Sequence, residues 1–399
     1  MKKTATTTVG ALSAAVLALT ACGGGDAAAG DDEGFSLDVP DIPALEELGE
    51  PEGQVNIVAW PGFVEDGTNN PDADWVTEFT EQTGCEVNRR IGETSDQMVS
   101  LMRSGDYDLI SASGDASLRL IAGGDVAPIN LDLLENFDEN IAEGMIGQVY
   151  DTINGDAYGV PLGRGANILQ YNEDEVEEAP TSWDVTWEAD SPYAGEIIAY
   201  DSPIYIADAA LYLMHHEPDL GIENPYALDE EQLDAAVELL QQQNEIVSEY
   251  WALYTANVSS FQSGSSTLGT SWQVILNVLG DGYAGVLPEE GATGWSDAWM
   301  IHSESPNTTC AYLWMDWATS PEINAQIAQN FGMAPANTLA CEGSRENEEH
   351  CEMFHATDED YYSQVWFWTT PIEQCLDGRT DVTCTNYQQW TEAWARVKG

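Results

Sequence analysis

The first part of the chain alternates short apolar runs, which are typical of buried β-strands, with amphipathic segments of helical period. Three runs predict strands: residues 54–60 (QVNIVAW), 86–92 (EVNRRIG) and 107–113 (YDLISAS). Three segments predict helices: residues 71–85 (PDADWVTEFTEQTGC), 95–105 (SDQMVSLMRSG) and 115–124 (DASLRLIAGG). In the first helix, Asp72 or Asp74 is the expected N-cap and Gly84 the expected end. Strands that alternate with helices predict an α/β fold with a largely parallel sheet.

A second alternating region begins near residue 164. It predicts one strand at 196–201 (EIIAYD) and helices at 206–216, 229–251, 309–332 and 387–398, with a further helix after Trp272. The helix at 229–251 is predicted from apolar positions at Leu233, Val237, Leu240 and Val247. Because ligands of α/β sheets bind beyond the carboxyl ends of strands, we expect Trp60, Ser113 and Asp115 to lie near a binding site.

Length and charge narrow the class of protein. A chain of 399 residues favours two compact lobes, and its 14 Trp and 16 Tyr exclude general disorder. It carries 70 Asp and Glu against 11 Lys and Arg, a formal net charge of −59. Nucleic-acid binding is therefore excluded, because no basic surface exists to neutralise phosphates. The acid excess favours a strongly hydrated surface suited to high salt.

The N-terminus predicts export. A charged start (MKK) precedes an apolar run at 9–19 that is too short to span a bilayer permanently. The run ends in LTAC at 19–22, which resembles the bacterial lipobox and implies a signal peptide at 1–21 and a lipid on Cys22. Residues 22–53 then predict an acidic tether. The alternative is a secreted protein without a lipid, and no later run is apolar enough to span a membrane.

The cysteines predict disulfides. The chain has seven, and setting Cys22 aside leaves an even number in an exported protein. Fifteen pairings of six cysteines are formally possible. Proximity in sequence favours Cys341–Cys351 and Cys375–Cys384, which leaves Cys85–Cys310. The alternative is a zinc site, since His350 and His355 stand beside Cys341 and Cys351.

The succession of motifs from about residue 54 to 399 resembles the spermidine/putrescine-type extracellular solute-binding proteins of bacterial ABC importers. The resemblance rests on the order and spacing of these segments: 56–63 (NIVAWPGF), 79–87 (FTEQTGCEV), 107–120 (YDLISASGDASLRL), 158–172 (YGVPLGRGANILQYN), 181–183 (TSW), 200–214 (YDSPIYIADAALYLM), 286–302 (VLPEEGATGWSDAWMIH) and 331–337 (FGMAPAN). It implies a two-lobed fold of the type II periplasmic-binding-protein class, with a ligand cleft between the lobes.

The resemblance also implies domain boundaries and a partner. Lobe 1 is expected at 54–162 plus about 298–338, and lobe 2 at 163–297 plus about 339–399. The chain is expected to be a monomer without a cofactor or metal. It is expected to hold a small cationic amine and to deliver it to permease subunits, facing the periplasm or the cell exterior.

The implied binding site combines aromatic side chains with acids. Trp60 and Phe63 match the first aromatic pair of the family, and Ser113 matches a serine that lines the cleft. Trp272 and Trp295 match tryptophans that enclose the alkyl chain of the ligand, and Asp297 matches the acid that binds its amine. Independently of the resemblance, aromatic faces and carboxylates are the groups that stabilise a desolvated ammonium.

Four positions depart from the family pattern or keep it in part. Asp115 stands where polyamine binders tend to have a tyrosine. Of an acidic pair in the second lobe, Asp201 is kept, whereas the following positions include Tyr205. Arg164 stands where relatives often have a tryptophan. It either forms a salt bridge or binds the carboxylate of a zwitterionic ligand.

Two other functions compete with amine transport. An acyltransferase or polyester synthase would need a nucleophile on a sharp turn such as G-x-S-x-G, and neither SGDAS at 113–117 nor FQSGSS at 261–266 fits that pattern. The five histidines show no helical metal spacing. A binder of anions or metal complexes on the same fold is the second alternative, and Arg164 is the residue that favours it.

Overall fold

The computed structural model describes residues 37–137 and 140–399. The predicted signal peptide at 1–21, the lipid attachment residue Cys22 and the first part of the tether therefore lie outside the described residues. None of the helices in the described ranges is long and apolar enough to cross a membrane.

The chain forms thirteen strands and thirteen helices within the described ranges. The strands are β1 Gln54–Ala59, β2 Glu86–Ile91, β3 Leu109–Ser113, β4 Thr152–Ile153, β5 Asp156–Ala157, β6 Val160–Asn172, β7 Ile197–Tyr200, β8 Val247–Trp251, β9 Leu268–Trp272, β10 Tyr283–Val286, β11 Ala292–Ile301, β12 Ala334–Pro335 and β13 Val365–Phe367. The helices are α1 Val76–Thr83, α2 Ser95–Met102, α3 Gly114–Gly123, α4 Asp184–Trp187, α5 Ile206–His216, α6 Glu230–Asn244, α7 Tyr254–Ser263, α8 Gln273–Leu279, α9 Thr308–Thr319, α10 Pro321–Phe331, α11 Arg345–Met353, α12 Glu359–Tyr362 and α13 Tyr387–Lys398.

Eleven strands form one sheet in which β2-β1-β3-β11-β6-β9-β7-β8 are neighbours in that order. Parallel pairs lie at both ends, β1 with β2 and β3 at one end and β7 with β8 and β9 at the other. The centre is antiparallel, because β11 pairs with β3 and β6, and β6 pairs with β9. The predicted α/β class is confirmed, and the predicted parallel pairing is found at the two ends and between β11 and the short strand β13.

The two long central strands, β6 with 13 residues and β11 with 10, were not predicted. Nearly every residue of both strands is buried, so neither shows the alternation of apolar and polar positions that marks a half-exposed strand. Glycines allow their close approach: a Cβ on Gly165 would lie 2.5 Å from the Trp295 ring. The central strands therefore connect the two parallel ends of the sheet.

Most predicted elements are present, and one was extended too far. In α1 the Asp74 side chain accepts a hydrogen bond from the Thr77 N–H (3.0 Å), and Gly84 ends the helix with a φ of 75°. The helix predicted at 229–251 ends at Asn244, and Val247–Trp251 forms β8 instead. This error has a physical cause, because the last residues of that segment pair with β7, which a local pattern does not reveal.

All three predicted disulfides are present: Cys85–Cys310, Cys341–Cys351 and Cys375–Cys384. The zinc alternative is wrong, because Cys341 and Cys351 are consumed by a disulfide. Cys85–Cys310 joins the segment between α1 and β2 to α9 across 225 residues of sequence.

Candidate functional site

Asp297 lies on β11 directly opposite Ser113, the last residue of β3. The carboxylate is buried, and the Ser113 hydroxyl donates a hydrogen bond to its Oδ1. Burial raises the pKa of Asp297 to about 7, the Ser113 hydrogen bond opposes the rise, and the negative charge of Asp115 adds to it. The register of β11 against β6 shifts between Asp297 and Ala298, and such bulges re-aim side chains.

Asp115 lies in the first turn of α3, two residues after Ser113. Its carboxylate is buried and accepts a hydrogen bond from the Ser95 hydroxyl (2.9 Å). Burial raises the pKa of Asp115 to about 6. The helix begins with Gly114 because a Cβ there would lie 1.8 Å from the carbonyl oxygen of Trp368.

A third carboxylate, that of Asp208, is half-buried in the first turn of α5. It accepts a hydrogen bond from the Thr293 hydroxyl (3.0 Å), and burial raises its pKa to about 8. The Thr293 Oγ1 accepts from the Asn167 amide (2.6 Å), whose oxygen accepts from the Trp272 indole N–H (2.8 Å). This chain of bonds fixes Asp208 and Trp272 relative to the central strands.

Tyr200, at the end of β7, contacts the aromatic groups of the site. Its ring is stacked on Trp368 with centroids 5.6 Å apart, and it is 5.7 Å from Trp272. Burial raises the pKa of the Tyr200 hydroxyl far above its ordinary range, and the negative charges of Asp115, Asp201, Asp208 and Asp297 add to that rise. The three site carboxylates are therefore near enough to this aromatic group to act on its hydroxyl.

Two tryptophans from the sequence analysis form an aromatic wall beside these acids. Trp295 is on the same face of β11 as Asp297, and its ring lies 6.3 Å from that of Trp272. Beside them a small pocket, with a cavity volume of about 10 Å³, is lined by aromatic groups that include Tyr362 and by no carboxylate. The pocket adjoins the aromatic wall, whereas Asp115 and Asp297 are buried away from solvent.

Trp60 follows β1, as predicted, and is half-buried. Its backbone N–H donates to the Ser111 hydroxyl (3.1 Å). The indole nitrogens of Trp60, Trp295 and Trp368 are buried and have no hydrogen-bond partner in the part of the chain that the structure describes. Leaving a buried polar group without a hydrogen-bond partner costs free energy. Such groups are typical of sites where a ligand supplies the partner.

None of the three site carboxylates forms a salt bridge with a Lys or Arg of residues 37–137 or 140–399. The positive charge of Arg119 lowers the pKa of Asp115 against the effect of burial, but Arg119 forms its salt bridge with Asp96 (2.7 Å). Buried charges in proteins are normally paired. The site is thus a cluster of carboxylates without a basic partner, which in their ionised forms can accept a cation.

Three residues that the resemblance assigned to the site are elsewhere. Phe63 is fully buried in the core, with its ring 4.5 Å from that of Phe331. Tyr205 is buried in a second part of the core, where its hydroxyl accepts from Gln243 (3.1 Å). Asp201 bonds to the last helix, where it accepts from Trp394 Nε1 (3.1 Å) and Lys398 Nζ (3.0 Å). These three assignments are corrected by the packing.

Arg164 forms a salt bridge, the first of the two interpretations of this residue. Its Nη2 lies 2.8 Å from Glu359 Oε1, and its guanidinium lies over the Tyr362 ring at 3.8 Å. It is opposite Ser296 in the register of β6 and β11, so its side chain and that of Asp297 point to opposite faces. The structure therefore does not bring Arg164 to the acids.

Sequence reasoning missed Asp208, Tyr200 and Trp368. Asp208 is within the motif at 200–214, and the available signal was an acid in the first turn of an otherwise apolar helix. Tyr200 directly precedes Asp201, the acid that the sequence analysis assigned to the site. Trp368 follows β13, a short strand whose position in the sheet the sequence does not reveal. Only the pairing of β7, β11 and β13 brings these residues together.

A mixed sheet with two parallel ends, joined by long central strands beside a buried charged site, defines a two-lobed protein that encloses a small solute. The chain belongs to the family of bacterial extracellular solute-binding proteins, which match residues 74–350.

Individual proteins agree with this assignment. The putrescine/cadaverine-binding protein of Pseudomonas aeruginosa is 26% identical over 290 residues, which cover 67% of this chain and 77% of that protein. The spermidine/putrescine substrate-binding protein PotD of Streptococcus pneumoniae superposes with a TM-score of 0.66 at 20% identity, covering 87% of this chain and 98% of PotD. A putative spermidine/putrescine transporter protein of Listeria monocytogenes gives 0.69 at 16% identity, covering 87% and 99%.

Proposed function

We propose that this protein is the substrate-binding component of an ABC importer and captures a small cationic amine with more than one positive centre, such as putrescine or spermidine. The observation that carries the proposal is the cluster of Asp115, Asp208 and Asp297. Asp115 and Asp297 are buried, Asp208 is half-buried, and none of the three has a basic partner among the described residues. The name of the Pseudomonas relative, a putrescine/cadaverine-binding protein, supports the same class of ligand.

The energies are sufficient. A hydrogen bond between an ammonium and a carboxylate contributes about 1.5–3 kcal/mol, and an aromatic face over a desolvated ammonium about 0.5–2 kcal/mol. Binding in the micromolar range needs about 8 kcal/mol after the costs of association. Two or three carboxylates and the rings of Trp272, Trp295 and Tyr200 supply that amount for a diamine, whereas a neutral solute would leave the acids unpaired.

A zwitterionic or anionic solute has less support. Such a ligand would need a free cationic group in the site, and Arg164 is already bonded to Glu359 and Tyr362. The chemistry of a site with three acids favours binding of a cation over acyl transfer, so we assign the chain a binding role and no catalytic residue.

We propose that the site opens and closes by movement of the two predicted lobes, 54–162 plus about 298–338 and 163–297 plus about 339–399. Asp115 belongs to the first and Asp208 to the second, while Asp297 is at the boundary. A diamine that binds acids of both lobes makes all its contacts only in the closed form, so it shifts the equilibrium towards that form. The permease subunits then bind the closed form.

We further propose that the protein acts as a monomer on the outer side of the cell membrane. The lipobox-like segment at 19–22 supports a lipid on Cys22, after removal of residues 1–21 as a signal peptide. The acidic segment that follows supports a tether that lets the folded part reach the permease.

A thermal-shift screen at high salt tests the proposal. Putrescine and spermidine should raise the melting temperature, whereas 4-aminobutyrate and sulfate should leave it unchanged. Asp297→Asn should weaken the effect of the amines. Stabilisation by 4-aminobutyrate or sulfate that survives this substitution would contradict the proposal and favour a zwitterionic or anionic ligand.

A further inference from the structure

Three metal-ligating side chains converge away from the amine site. They are Asp184 at the start of α4, His216 at the end of α5 and Glu290 just before β11, and one ligand atom of each lies within 4.8 Å of the others. We propose that this cluster binds a divalent transition-metal ion, with Zn²⁺ as the best match. The inference is independent of the proposed amine ligand.

The spacing of the ligand atoms fits a tetrahedral ion. Zn²⁺ binds imidazole nitrogen and carboxylate oxygen at about 2.0–2.2 Å, which places neighbouring ligand atoms of a tetrahedron about 3.3–3.6 Å apart. His216 Nε2 lies 3.1 Å from Glu290 Oε1 and 3.6 Å from Asp184 Oδ1. The ligand atoms of Asp184 and Glu290 lie within 4.8 Å of each other. A small rotation of the half-exposed Asp184 side chain would bring them to the tetrahedral spacing.

Neighbouring groups already orient all three ligands. The Tyr212 hydroxyl donates to Asp184 Oδ1 (2.7 Å), and the Tyr212 ring is stacked on the His216 ring with centroids 4.0 Å apart. Glu290 is buried and accepts hydrogen bonds from the Ser182 hydroxyl and the Trp183 backbone N–H. Such contacts around a metal ligand fix its direction and strengthen binding.

The donor set selects the class of metal. One imidazole and two carboxylates suit Zn²⁺ and similar ions, whereas Ca²⁺ and Mg²⁺ prefer oxygen alone. Three protein ligands leave a fourth position, and the side chains of His216 and Asp184 are 35% and 45% exposed, so water can complete the shell. A metal would also pair the charge of the buried Glu290 carboxylate.

The ion would tie together segments that lead into the amine site. Helix α5 has Asp208 in its first turn, near the amine site, and His216 at its end. Glu290 lies just before β11, the strand that carries Asp297. A bound metal should therefore stabilise this part of the fold and raise the melting temperature, because it binds only the assembled ligands.

Zinc binding to the full exported chain tests the proposal. After treatment with a chelator, the protein is titrated with Zn²⁺ by calorimetry in excess Mg²⁺ and salt, which saturate weak sites on the acidic surface. We expect one Zn²⁺ per chain and a rise in melting temperature of about 2 °C or more at saturation. His216→Gln should weaken binding by about 10-fold or more.

The neighbouring His215→Gln is the matched control, since His215 is exposed at the same helix end and is outside the cluster. It should bind Zn²⁺ like the unchanged protein. The proposal is overturned if the unchanged protein binds no Zn²⁺ at one equivalent, or if His216→Gln binds it equally well. Putrescine binding should be retained in His216→Gln, so failure of the metal site and failure of the amine site give different results.

Discussion

At the scale of single residues, the site carboxylates destabilise the protein until a ligand arrives. Asp297 is buried with one hydrogen bond from Ser113 and no basic partner in the described ranges, and its pKa rises to about 7 because of burial. A raised pKa means that the folded protein favours the neutral acid more than the unfolded chain does. Function and stability therefore oppose each other at this position.

Asp297→Asn should separate the two effects. Above the raised pKa, at about pH 8, removal of the charge should stabilise the unliganded protein by roughly 1–3 kcal/mol, because it removes the cost of burying the carboxylate. Putrescine affinity should fall by about 10-fold or more, because one charge-assisted hydrogen bond is lost. Thermal unfolding and calorimetry measure the two quantities.

Asp151→Asn is the matched control for that substitution. Asp151 is also buried, and burial raises its pKa to about 8, yet the charges that act on the Tyr200 hydroxyl do not include it. It should stabilise the protein at about pH 8 and leave putrescine affinity unchanged. Equal loss of affinity in both variants would contradict a specific role for Asp297.

Amine binding should depend on pH between about 8 and 5. The pKa values of Asp115, Asp297 and Asp208 are raised to about 6, 7 and 8, and the bound amine requires the ionised forms. Binding should therefore release protons, and affinity should fall as the pH decreases, by roughly 10,000-fold or more over this range, because one or two protons are released across about three pH units. The unliganded protein should become more stable over the same range, because the folded state binds more protons than the unfolded state.

Calorimetry in buffers of different ionisation enthalpy measures the released protons. We expect about one or two protons released per amine near pH 6–7 and almost none above the highest raised pKa. An affinity that does not change with pH, without proton release, would show that these acids do not contact the ligand.

At the scale of elements, the sequence predicted the helices and strands whose signals lie within their own segment. Helix α1 was predicted from its cap and terminal glycine, and β1 from its apolar run, because these signals are within the segment itself. Strands β6 and β11 were missed because burial on both faces removes the alternation of polar positions. The extension of α6 into β8 failed for a related reason, since pairing with β7 decides that segment.

Only part of the candidate site was predicted, because some of its residues come together only through long-range contacts. Ser113, Trp272, Trp295 and Asp297 were found through the resemblance, and the structure brings them to one region. Asp208 and Trp368 reach it through contacts between segments far apart in sequence, which a single sequence does not reveal. Asp201 and Asp208 belong to the same motif, and only Asp208 is in the first turn of an apolar helix.

The disulfides should stabilise the protein by amounts that grow with the logarithm of the loop length that each one closes. The Cys85–Cys310 bond closes 225 residues and the Cys375–Cys384 bond closes nine. Loop-closure entropy predicts a loss of about 5 kcal/mol when the first is removed by paired Ser substitutions, against about 2.6 kcal/mol for the second. Denaturant unfolding of the two double variants measures the difference, and an equal loss in both would contradict the entropic account.

At the scale of the whole molecule, the net charge of −59 should make stability depend on salt. Repulsion among exposed carboxylates opposes the compact state, and salt reduces it as the screening length falls from about 10 Å at 0.1 M to about 3 Å at 1 M. The melting temperature should rise by about 5 °C or more over that range. NaCl and KCl should act alike if screening is the cause. A melting temperature that is constant or falls with salt would contradict the prediction.

The same whole-molecule view separates the surface charge from the site. Exposed acids are screened and hydrated, whereas the buried Asp115 and Asp297 keep their attraction for a cation at high salt. We propose that the lobes close around a dication, because it contacts acids that belong to different segments. The central claim is that the site binds a ligand with two positive charges. A ligand of similar length with a single positive charge therefore tests it.

Calorimetric titration with putrescine and butylamine at about pH 8 makes that comparison with four carbons in each ligand. We predict one putrescine per chain with a dissociation constant in the micromolar range or below, and butylamine binding weaker by about 10-fold or more, because it leaves a buried carboxylate unpaired. No heat with putrescine, or equal affinity for the two amines, would contradict the account.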